Sequence, residues 1–181
     1  MNFFKKLFGK SPKKTGLSAR GMIVFHHTAE VIAAETLLKQ AGMEVQVKGP
    51  PPALRTGCDM VIEFPLISEL EAIRILNQAK ITPIQVVTVE DPLLEPVSLF
   101  HVKDFGDYLM VRAANMKITV AKHNQEIVNI SGGGCPDVPY LAEVMVGKSL
   151  LSAPEPRTMG KTLCGYALQL AYKEIIRQCH G

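Results

Sequence analysis

Four cysteines are the side chains in this sequence best able to do covalent chemistry: Cys58, Cys135, Cys164 and Cys179. A thiol reacts as its thiolate, which forms when a cation, a helix N-terminus or several N–H donors stabilise the negative sulfur. Two of the four have such neighbours along the chain. Cys58 follows Gly57 in PPALRTGCDM, with Arg55 close by and space at the glycine for a partner to approach. Cys135 ends the glycine run of SGGGCPDVPY. A helix opening at Pro136 would make Cys135 its cap, facing unpaired N–H groups and the positive end of the dipole. Gly132, Gly133 and Gly134 can adopt positive φ and turn successive N–H groups inward as an anion nest. A persulfide, selenide, phosphate or carboxylate would fit such a nest. Asp137 opposes it, because a carboxylate near the sulfur raises the thiol pKa. For both cysteines the competing reading is a small apolar residue that merely packs.

The remaining candidates carry weaker chemistry. Cys164, in KTLCGYALQLAYK, borders an apolar stripe of Leu163, Ala167, Leu170 and Ala171 and reads as core, the alternative being a resolving thiol facing Cys135. Cys179 reads as exposed and incidental. There is no C-x-x-C, and the cysteine spacings match no zinc or iron–sulfur signature, so no metal is expected, even with His26 or His101 as a further ligand. His26 and His27 read as surface residues closing a strand. The Gly-Lys-Ser at 147–149 and Gly-Lys-Thr at 160–162 lack the rest of a phosphate loop, and no dinucleotide fingerprint or catalytic serine motif occurs. No cofactor is expected.

These residues have to be held by regular elements, and the pattern supplies them. GMIVFHH reads as a buried strand, followed by a helix from a Thr28 cap to Leu38 that Gly42 stops. MEVQVKG alternates as a second strand, and CDMVIEF forms a third after the turn-rich PPPALRTG. Ser68 and Glu71 are spaced as a capping box for a helix over 68–80, and ITPIQVVTV is the fourth strand. The order β-α-β-β-α-β predicts a ferredoxin-like unit, four strands with both helices on one face. DPLLEPV, 91–97, reads as a linker. Beyond it YLMVRAA, MKITVAK and EIVNISG predict a three-stranded meander, with a hairpin at His123–Gln125. A short helix to Val146 and a last helix over 158–178 complete a second α+β half. The expected organisation is a tail at 1–20, the ferredoxin-like domain at 21–90 and the second domain at 98–181.

Composition sets the surroundings. With 47% hydrophobic and 20% charged residues, the 181-residue chain buries an ordinary core. The net charge of +3 is local: residues 1–20 hold six basic residues and no acid, leaving 14 basic and 17 acidic residues in the body. That balance of −3 argues against a nucleic-acid surface. No apolar run is long enough to span a membrane, and MNFFKKLFGK lacks the features of a secretory signal, so the expected compartment is the cytoplasm with free thiols. Phe3, Phe4, Leu7 and Phe8 share one side of a short helix beside Lys5, Lys6, Lys10, Lys13 and Lys14. Residues 1–14 are therefore either a peripheral anchor at anionic lipid or a solvated tail.

At residues 21–89 the chain resembles a small bacterial selenium/sulfur carrier-like family. The resemblance rests on MIVFHHT, AEVIAAETLLKQAG and VKGPPPALRTGCDMVIEF. It implies a ferredoxin-like or carrier-like fold with Cys58 as the working thiol. In addition, C-P-x-x-P at Cys135 is similar to the C-P-x-P motif of TusA-type sulfur carriers, with one residue more before the second proline. Together these point to a relay that takes sulfur or selenium from a donor protein as a cysteine persulfide or selenide and hands it to an acceptor, on Cys58 or Cys135. Such a protein is more a stoichiometric carrier than an enzyme. The alternative is a non-catalytic ligand-sensing or scaffold module, possible membrane tethering included; a third reading gives Cys135 and Cys164 redox work. Oligomeric state is not written in the sequence.

Overall fold

The computed structural model describes residues 19–55 and 59–180. Residues 1–18 of the expected tail, with Thr56, Gly57 and Cys58, therefore lie outside the described residues, and Arg20 belongs to the first strand and not to the tail. Arg20–Val24 forms β1, Thr28–Gln40 α1, Gln46–Lys48 β2, Val61–Pro65 β3, Glu69–Gln78 α2 and Gln85–Thr88 β4. The sheet order is β2-β3-β1-β4 with every neighbour antiparallel, which is the ferredoxin-like arrangement. Period-two alternation explains its two faces. Ile23, Phe25, Ile62 and Phe64 meet Val31, Ala34 and Leu38 of α1 and Ala72 and Leu76 of α2. Met22, Val24 and Val61 point the other way, against Leu54, Val89 and Leu94.

Helix starts differ from expectation by one residue or by partner. His27, not Thr28, is the cap residue of α1, and its N–H donates to Glu30 Oε2 at 2.9 Å. Ser68 does precede α2, but the capping box does not form. Glu71 instead accepts two bonds from Arg74, at 2.6 and 3.0 Å, a pairing one helical turn along that competes for the same carboxylate.

The second half is also α+β, with more elements than expected. Phe100–Asp104 is β5, Tyr108–Ala113 β6, Met116–Ala121 β7 and Glu126–Ser131 β8, a four-stranded antiparallel meander in chain order. The additional strand, β5, is an edge strand whose side chains are mostly exposed, so it carries no alternation to read. Asp137–Met145 forms α3, Pro156–Met159 a short α4, and Leu163–His180 α5. The single last helix expected over 158–178 is thus broken at Gly160–Thr162. Leu109, Val111, Ile118, Val120 and Ile127 of the sheet pack against Leu141 and Met145 of α3 and Ala167, Leu168, Ala171 and Ile175 of α5.

α5 also reaches the first half. Tyr166 is buried in the ferredoxin-like core, where its phenol donates to Glu35 Oε2 of α1 at 2.6 Å, and Leu99 and Leu170 pack beside it. Among the described residues no helix is long and apolar enough to cross a membrane.

Candidate functional site

The glycine run and the start of α5 meet. Cys135 and Cys164, 29 residues apart in sequence, have their sulfurs 2.6 Å from each other, with Cys164 as donor. Cys135 is half-buried, whereas Cys164 is 4% exposed. Both are free thiols, and a disulfide (S–S about 2.05 Å) needs only a small further approach.

α3 begins at Asp137 and is capped by Pro136, so Cys135 stands one residue outside the helix it was expected to cap. Its carbonyl accepts from the Val138 N–H at 3.1 Å. The helix end that serves the sulfur is that of α5. Thr162 precedes α5 and its hydroxyl accepts from the Gly165 N–H at 3.4 Å, as a cap residue does. Cys164 therefore lies in the first turn of α5, and its unpaired N–H turns to the Cys135 sulfur.

Asp137 holds this junction together. Its Oδ2 accepts the Thr162 N–H at 3.1 Å and its Oδ1 the Thr162 hydroxyl at 2.6 Å, which ties α3 to the start of α5. Burial would raise its pKa, yet these bonds and the N–H groups of Asp137 and Lys161 hold it below the usual carboxylate range. The repulsion expected between Asp137 and Cys135 is the weakest of the influences on that thiol. The carboxylate is already occupied by donors.

The glycine nest faces differently from expectation. Gly132 and Gly133 have positive φ, +97° and +69°; Gly134 does not. The N–H groups of Gly134 and Cys135 turn to the sulfur of Cys164, not to a ligand outside. A Cβ on Gly133 would stand 2.5 Å from Cys164 Sγ and 2.9 Å from Met116 Sδ. The turn is shaped around the second cysteine.

The two thiols are driven apart in acidity. The Cys164 S–H bond lowers the Cys135 pKa most, followed by Thr162, and they outweigh partial burial. Thr162 has one proton, already directed at Asp137, so Cys164 is the donor that matters. Burial pushes Cys164 up, and donating to Cys135 adds to that. Of the two, Cys135 is therefore the thiol more readily ionised and Cys164 the one that donates. In mass-resolved labelling with iodoacetamide, Cys135 is expected to alkylate at pH values below the ordinary thiol range (about 8.5) and Cys164 only well above it. Equal pH profiles for the two would contradict this assignment.

Other candidates lie elsewhere. Arg55 is exposed and lines a cleft of about 340 Å³ between the halves with Asp59, His101 and Arg112. It is not beside Cys135. His26 and His27 are exposed, as expected of surface histidines. Cys179 is half-buried against the second core, not exposed, and burial raises its pKa. No group of three or more His, Cys, Asp or Glu converges among the described residues. Thr162 was not among the sequence candidates, although a threonine two residues before a helical cysteine, after Gly-Lys, carries the signature of a cap.

Residues 20–88 match the model of a family described as "Putative Se/S carrier protein-like", and residues 99–181 match a domain of unknown function (DUF8182). The first match spans β1 to β4; the second begins one residue before β5 and contains both paired cysteines. An uncharacterized protein of Methanocaldococcus jannaschii, MJ0011, is 41% identical over 172 residues, covering 92% of this chain and 86% of that protein. That relative is archaeal, so the likeness is not confined to bacteria. No solved structure matches the chain at a significant level. The chain belongs to the family of MJ0011, with a sulfur- or selenium-carrier-like domain at residues 20–88 joined to a second domain whose function is not known.

Proposed function

We propose that this carrier-like protein holds its sulfur or selenium on a cysteine, as a persulfide or the selenium equivalent, between a donor and an acceptor protein. Cys135 and Cys58 are the loading positions. The observation that carries the reading is Cys135 itself: a half-exposed sulfur that receives an S–H from Cys164 and an N–H from the first turn of α5. Those donors stabilise the thiolate that must attack a donor persulfide, and a terminal sulfur has the exposed side of Cys135 to occupy. Cys58 supports the reading through the carrier-like domain it belongs to, with Arg55 three residues before it in the sequence.

The test is loading with glutathione persulfide followed by peptide mass spectrometry. The parent protein is expected to gain one sulfur on Cys135, on Cys58 or on both, and the Cys58→Ser/Cys135→Ser double variant to gain none at the background of Cys164 and Cys179. Loading of the double variant to the parent's extent would leave the scaffold reading in its place.

A further inference from the structure

A protein that only stores a chalcogen and passes it on has no need of a second thiol within bonding range of the first. Here the second thiol is built in. Cys164 is buried behind Cys135 with 2.6 Å between the sulfurs. The N–H groups of Gly134 and Cys135 are aimed at it, and Gly133 carries no side chain where one would collide with its sulfur. Reagents from outside meet Cys135 first. Any sulfur that Cys135 receives then has a thiol waiting on the inner side of the bond.

We infer that Cys164 displaces the chalcogen from Cys135, so that the second domain reduces bound sulfur and releases it as hydrogen sulfide, or selenium as hydrogen selenide. This rests on the carrier reading of Cys135. In the loading step the Cys135 thiolate attacks the terminal sulfur of a donor R–S–SH. The donor S–S bond breaks, R–S⁻ leaves, and Cys135–S–SH forms. In the release step the Cys164 sulfur bonds to Cys135 Sγ and the persulfide bond breaks. The departing sulfur takes the Cys164 proton and leaves as H₂S. The terminal sulfur is reduced, and the two cysteines end as a disulfide, together oxidised by two electrons. An external dithiol reductant returns two electrons and two protons to restore both thiols. Attack within the protein proceeds at high effective concentration, so release outruns hand-over to solvent thiols.

The experiment compares the full-length parent with Cys164→Ser, which keeps a hydroxyl donor for Cys135, and with Cys164→Ala should the serine variant unfold. Each is loaded with glutathione persulfide, freed of reagent and sampled over time. Readouts are persulfide on the Cys135 peptide, sulfide in solution and a Cys135–Cys164 cross-linked peptide, with Cys135→Ser giving the background. In the parent, sulfide and cross-link are expected to appear in equal amounts as the persulfide vanishes, and dithiothreitol to restore loading. In Cys164→Ser the Cys135 persulfide is expected to last at least about tenfold longer, with no cross-link, since the intramolecular route is gone. If the parent's persulfide lasts as long as the variant's and no cross-link forms, displacement is wrong while carriage on Cys135 stands. If a folded Cys164→Ser protein alkylates at Cys135 yet never takes up sulfur there, carriage on Cys135 fails and displacement with it.

Discussion

Gly132→Ala is expected to destabilise the fold by about 3 kcal/mol, with Gly133→Ala close behind. Gly132 leaves β8 with φ +97°, a conformation strained for any L side chain. Its added Cβ would lie 1.9 Å from the carbonyl oxygen of Asn115, in the tight β6–β7 turn. Neither partner is a flexible side chain, so backbone has to move. At this chain length such a loss corresponds to a fall in melting temperature of roughly 6–12 °C. The comparison is Gly134→Ala, where an added Cβ meets nothing within 4 Å and φ is not positive. That change is expected to stay within about 0.5 kcal/mol. Equal melting of all three variants would mean that the glycine run is not shaped by the contacts described. Gly133→Ala has a second readout, because its Cβ enters the space of Cys164 Sγ. Alkylation of Cys135 should then move to higher pH as it loses its donor.

Tyr166→Phe is the second large effect, expected to cost about 2 kcal/mol, the range for a buried hydrogen bond to a charged group. The phenol and Glu35 are 6% and 8% exposed, and the bond between them is 2.6 Å. Lys39 holds the other carboxylate oxygen at 2.7 Å, so the variant keeps one partner but strands Oε2 in apolar surroundings. Changing both residues to apolar ones, Glu35→Leu with Tyr166→Phe, should cost less than the two single changes added together. Additivity would show that the pair does not interact. Burial, then Glu35, raise the Tyr166 pKa far above its ordinary value. The sign follows: with the folded pKa raised, this contribution is complete below about pH 10 and fades as pH rises towards the folded value. The stability gap between parent and Tyr166→Phe should therefore narrow above pH 10 in alkaline denaturation curves.

Why some of this could be read from residues alone, and some not, is a matter of range. The alternation of Ile23, Phe25, Ile62 and Phe64 against Met22, Val24 and Val61 is local, and it is enough for the ferredoxin-like sheet. β5 escaped because FHVKD lies at an edge, where solvent removes the need for a patterned face. The break before α5 escaped because the apolar stripe from Leu163 to Ala171 lies wholly beyond it and does not mark where the helix starts. What ends the helix there is Asp137, a partner 25 residues away that captures Thr162. The same distance left the sulfur pair as an alternative reading only, a resolving thiol facing Cys135, behind the core reading of Cys164. Cys135 was recognisable as a cysteine after glycines, but its helix dipole belongs to α5 and its strongest donor is Cys164, which sequence placed in the core. The core reading of Cys164 is right about burial and incomplete about contact.

The boundary between the two matched regions, residues 88 to 99, is not a boundary of the hydrophobic interior, since α5 contributes Tyr166 and Leu170 to the first half. A fragment ending at residue 88 would open an empty socket beside α1 and leave Glu35 facing it with only Lys39. Severing the chain there is no neutral dissection: the smallest piece that keeps both interiors filled runs through α5.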